Sequence, residues 1–95
     1  MTNIIEQFIV DNKISLEGED SGLNGAFVIL SGFALHKGIE LGELSDSIDV
    51  FLKEASGSEL SSNELYELER VYEYAASNNY SAFWKTEKAK KQYKF

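Results

Sequence analysis

One stretch of the chain, Leu23–Leu35, carries no charge and has apolar side chains on every side. A helix that is hydrophobic all round is normally buried by its neighbours. Leu23, Phe27, Leu30 and Ala34 keep helical spacing, with Ala26 and Phe33 beside them. Gly25, Ser31 and Gly32 are small enough to let other backbones come close. The run of 13 residues is shorter than the ~20 needed to cross a bilayer. The pattern predicts the central core helix of a small soluble domain.

The flanking stretches are amphipathic. Asn3, with Glu6 three residues on, has the spacing of a helix start, and Ile4, Ile5, Phe8 and Ile9 make one apolar stripe. Asp11-Asn12-Lys13 stops it, predicting a helix over about 3–11. Residues 17–22 are polar and contain two glycines, so they read as a loop, with Asp20 or Ser21 capping the central helix. His36-Lys37-Gly38 ends that helix, because basic residues suit a last turn and glycine takes the left-handed conformation beyond it.

A third helix is predicted over 40–55. Leu41, Leu44, Ile48, Phe51, Leu52 and Ala55 lie on one face, and Glu43, Asp46, Asp49 and Lys53 mostly on the other. The next start is the clearest local signal in the chain. Ser61 with Glu64 forms a capping box, and Leu60 can staple onto Leu65. Leu65, Leu68, Val71, Tyr72 and Ala75 form the expected inner stripe, and Asn78-Asn79 ends the helix. Tyr80–Trp84 restarts the chain as a last helix. The remaining KTEKAKKQYKF has no sustained apolar stripe, and its end is expected to fray.

The predicted fold class is therefore all-α, a compact bundle of four to five short helices around a buried central helix. An α+β alternative remains at this point: a short hairpin near residues 13–30, with a strand at 13–17 paired to 26–30, fits the same apolar run. Residues 1–95 form one small acidic helical domain with a basic C-terminal tail from about residue 85.

Charge sharpens this picture. The net charge is −7, but residues 1–81 carry −11 and residues 82–95 carry +4. An acidic body repels nucleic acid and anionic lipid within about a Debye length, ~8 Å at physiological salt. There is no cysteine and no proline. Disulfides and thiolate metal sites are excluded, and a cytoplasmic location is expected. The start, MTNIIEQFIV, has no basic segment of the kind that opens a signal peptide.

Chemistry-bearing motifs are sparse. His36 is the only histidine, and no cluster of potential ligands has metal-site spacing, so neither metal nor cofactor is expected. Asp46 and Asp49 form a carboxylate pair on a helix expected to be wet, where burial would not tune a pKa for catalysis. Glu17, Glu19 and Asp20 do not match a calcium-binding loop. Phe33–Val50 has the spacing of a helix-turn-helix, with Ala34, Gly38, Ile39 and Leu44 at its structural positions. Its second helix would turn Glu40, Glu43, Asp46 and Asp49 toward phosphate, which speaks against DNA reading.

The tyrosines carry the main functional expectation. Tyr66, Tyr72, Tyr74 and Tyr80 crowd into fifteen residues, and one helix face cannot bury Tyr66, Tyr72 and Tyr74 together. Exposed tyrosines suit protein interfaces, bringing large area with few rotatable bonds. The expected function is a non-catalytic protein-binding module: a small acidic inhibitor, immunity-type or regulatory protein of bacterial or phage kind that docks a partner with a basic surface. Tyr66 and Tyr74 would anchor, while Glu67, Glu73, Asp46 and Asp49 would steer. Two alternatives share the sequence. Spaced carboxylates, including Glu40, Glu43, Glu64 and Glu69, could imitate a phosphate backbone as a DNA mimic. The tail lysines Lys85, Lys88, Lys90, Lys91 and Lys94, interleaved with Tyr93 and Phe95, could touch nucleic acid weakly. No membrane partner is expected.

Overall fold

Asn3 caps the first helix, α1 (Ile4–Asn12), its Oδ1 accepting the Glu6 N–H at 2.8 Å. The Glu6 carboxylate answers by accepting from the Asn3 side-chain amide, also at 2.8 Å. Ile5, Phe8 and Ile9 are buried, and Lys13 ends the helix in the left-handed conformation, φ +51°. The computed structural model describes residues 3–16 and 21–95, with side chains in the second stretch from Gly25 onward. The proposed cap Asp20, the loop acids Glu17 and Glu19, and the side chain of Leu23 lie outside the described residues.

Among the described residues, four further α-helices and one 3₁₀ helix follow: α2 (Ser21–His36), α3 (Leu41–Ser56), α4 (Ser62–Ser77), the 3₁₀ helix Tyr80–Lys85, and α5 (Glu87–Gln92). There is no strand among the described residues, and 21–30 is helical, so the hairpin alternative falls. The fold is all-α, and among the described residues no helix is long and apolar enough to cross a membrane.

The uncharged helix α2 is the hub. Ala26, Phe27, Leu30, Phe33 and Ala34 are buried, and α2 packs most broadly against α4 and the 3₁₀ helix. Phe33 stacks on Phe8 with ring centroids 4.1 Å apart. Trp84 meets both rings edge-on at 5.5 and 5.4 Å. Such edge and offset contacts each add roughly 0.5–1.5 kcal/mol to plain area burial. The burial is not complete all round, as the sequence pattern implied. Gly25 is exposed and Val28 is 38% exposed, because the neighbouring short helices leave one side of α2 bare.

The corner from α2 to α3 is made at Gly38, φ +74°, where a side chain would be strained. The Ile39 N–H then reaches back to the Ala34 carbonyl at 2.8 Å. Leu44, Ile48 and Leu52 bury one face of α3. Ala55, placed in the same stripe from spacing, is exposed. The Ser61–Glu64 capping box forms as predicted, with both hydrogen bonds present. The buried line of α4 is Leu68 and Ala75, with Val71 and Tyr72 half-buried at its borders. Leu65, assigned to that stripe, is 40% exposed. Tyr72 reaches across to α3's entry, its hydroxyl donating to the Ile39 carbonyl at 2.7 Å.

The C-terminal end packs onto the body of the fold, against the expectation of a free end. Thr86 caps α5 through its Oγ1, Ala89 is buried, and Tyr93 packs its ring 4.9 Å from that of Trp84. Asn12 then clamps Lys94 from both sides: its Nδ2 donates to the Lys94 carbonyl at 2.8 Å, and its Oδ1 accepts the Lys94 N–H at 2.7 Å. The radius of gyration, 12.4 Å, matches the ~12 Å expected of a folded chain of this length.

Candidate protein-binding face

At about 100° per residue, Glu73, Tyr66, Arg70, Tyr74 and Glu67 fall within an arc of about 120° on α4. The opposite side of the helix carries Leu68 and Ala75, both buried. Packing on α2 therefore turns the arc outward. Tyr66 is 61% exposed and Tyr74 is 59% exposed, the two most exposed large rings among the described residues. Neither ring is loose. The Arg70 guanidinium lies 5.8 Å from the Tyr66 ring centroid, a cation–π arrangement. Tyr74 meets Tyr80 edge-on at 5.6 Å. The result is a row of ring, guanidinium, ring and ring along one edge of the molecule.

Behind this row lies a shallow groove of about 290 Å³ where α4 meets α2. Val28 and Val71 form its apolar floor, Tyr74 and Tyr80 one wall, and Glu67 and Arg70 its charged rim. A second, more apolar cavity of about 320 Å³ adjoins it, sharing Val28 and Tyr80. Ile29 and Gly32 of α2 line its base; Asn79 and Phe83 stand at its sides; Trp84 and Tyr93 close it.

The six sequence-predicted residues divide. Tyr66, Glu67, Glu73 and Tyr74 share the α4 arc. Glu67 is half-buried at the groove, while Glu73 is exposed. Asp46 is exposed on α3. Asp49 is half-buried, and its Oδ1 accepts the Leu60 N–H at 2.8 Å, so this carboxylate holds the α3–α4 connection in place. Three residues of the face escaped the sequence reading. Arg70 lies four residues from both Tyr66 and Tyr74, a spacing that would have found it. Tyr80 stands in the tyrosine cluster but is not assigned to the face by sequence, and Val28 gives no signal, because only the packing of α2 against its neighbours exposes Val28 and brings Tyr80 beside Tyr74.

The one histidine lies at the other end of α2. His36 has its Nδ1 buried without a hydrogen-bond partner among the described residues. Burial, and then the positive charges of Lys37 and Lys85, hold its pKa below the ordinary histidine value. The Phe95 ring stands edge-on to it at 6.2 Å. With the chain's fold and this face in view, comparison with protein-family models, curated proteins and solved structures gave no match.

Proposed function

We propose that this chain is a non-catalytic protein-binding module, a small acidic inhibitor, immunity-type or regulatory protein that docks a partner with a basic surface. The observation that carries the reading is the outward pair Tyr66 and Tyr74, each about three-fifths exposed on a helix whose other side is packed. A monomer gains little from two large rings left mostly in water, each held by a single surface contact. An interface gains more, because aromatic anchors with few rotatable bonds lose little entropy on binding. α4 carries Glu64, Glu67, Glu69 and Glu73 against the single cation Arg70, so the surroundings favour a basic partner. Asp46 on α3 adds to that field. Tyr66 and Tyr74 supply affinity; Glu67, Glu73 and Asp46 supply steering.

The test pairs wild-type chain with Tyr66→Ala and Tyr74→Ala. Each is immobilised and exposed to extract of the native host; the protein captured by wild type is purified, and its Kd is measured against all three. Tyr66→Ala is expected to weaken binding by about 2 kcal/mol, roughly thirtyfold. A partner that binds both variants as tightly as wild type overturns the face. If such binding also collapses with added salt, the chain is acting through its carboxylates, as a DNA mimic would.

A further inference from the structure

We propose that the cavity between α2 and the 3₁₀ helix is a binding site for a small, uncharged apolar molecule with one hydrogen-bond acceptor, received by the Trp84 indole N–H. The site adjoins the proposed protein-docking groove, sharing Val28 and Tyr80 with it, but the argument for it does not rest on that docking. Trp84 is only 3% exposed as a residue and lines the cavity, where its indole N–H is the donor the site offers. An indole N–H that borders an apolar cavity pairs with a ligand acceptor at the cost of only the water it displaces. Trp84 forms part of the cavity wall. A Cβ placed on Gly32, which lines the base, would come 2.8 Å from Trp84 Nε1 and 3.6 Å from the Tyr80 Cβ. Glycine at 32 therefore lets the nitrogen-bearing edge of the indole lie directly against α2 at the base of the cavity.

The rest of the lining sets the ligand's class. No lining residue is charged, so an ionic ligand would lose hydration without gaining a counter-charge. Val28, Ile29, Phe83 and the ring of Tyr93 offer apolar contact. About 320 Å³ is at the small end of the range for ligand pockets, which selects a compact molecule of one ring. A hydrocarbon would fill the space but leave the indole N–H unmet; an aromatic or alicyclic ketone satisfies both.

Trp84 is the only tryptophan, so ¹⁵N-labelled protein shows a single indole N–H resonance, which reports on this site alone. Acetophenone and ethylbenzene, close in shape but differing in the carbonyl, are titrated against it. Acetophenone is expected to give a saturable downfield shift of the indole proton, together with shifts at the amides of Val28 and Gly32. Ethylbenzene is expected to bind about tenfold more weakly. Trp84→Phe should erase that preference, read at the same two amides. Val28→Trp, a change at a partly exposed position, should block both ligands. No saturable shift up to the solubility limit, equal affinity for the two probes, or shifts scattered away from the cavity would overturn the proposal.

Discussion

Ser31 lies at the centre of α2, fully buried, with no hydrogen-bond partner for its hydroxyl among the described residues. The position needs a small side chain for packing and makes no use of the oxygen. Ser31→Ala is therefore expected to stabilise the fold by about 1 kcal/mol, from relieved desolvation and better helix propensity. The urea midpoint should rise with the slope unchanged. His36 makes the opposite kind of demand. Its folded-state pKa lies below the unfolded value because burial, Lys37 and Lys85 all disfavour the charged ring. The unfolded chain then binds more protons, so stability is complete above about pH 6.5 and declines as pH falls through the folded-state value. Melting temperature should drop between pH 7.5 and 5.5 more in wild type than in His36→Gln. Equal drops would remove His36 from the account.

Among the elements, those with strong local chemistry were legible from sequence. The Ser61–Glu64 box, the glycine at position 38 and the left-handed Asn79 are decided by a few neighbouring residues, and each appears as read. The C-terminal segment was not legible. Its one buried residue is Ala89, which is too small to mark a stripe, and its ring contacts come from Tyr93 and Phe95, which follow the end of α5. What pins it is Asn12, far away in sequence, whose side chain pairs with both the N–H and the carbonyl of Lys94. Asn12→Ala should cost about 1 kcal/mol and speed hydrogen exchange at the Lys94 amide, while amides of α3 keep their protection. Leu65 and Ala55 show the same limit from the other side. Both fit an inner stripe by spacing, and both are exposed because the width of a buried face is set by the neighbouring helix.

For the whole molecule, acidic charge and aromatic anchors do different work. The negative field acts at a distance and is screened within ~10 Å at about 0.1 M salt. With a basic partner, raising salt from about 50 to about 500 mM should slow association several-fold and leave dissociation nearly unchanged. Tyr66→Ala should instead speed dissociation. Stopped-flow measurement of both rates separates the two contributions. Salt and Tyr66→Ala both acting on association alone would contradict this division of labour. The same geometry explains why α2, although free of charge, is not sealed. Its broadest contacts are with α4 and the 3₁₀ helix, and the side left over carries Val28 and opens the two adjoining cavities.

Sequence by itself determined the helical class, the central place of the uncharged segment, most helix ends, and the outward placing of Tyr66 and Tyr74. These follow from periodicity and capping, which act over a few residues. Only the tertiary structure decided which side of α2 stays bare, that Asp49 is spent on the Leu60 N–H, and that Trp84 rests on Gly32. Those facts depend on where distant segments meet, and no local pattern of residues encodes the angle at which one helix crosses another.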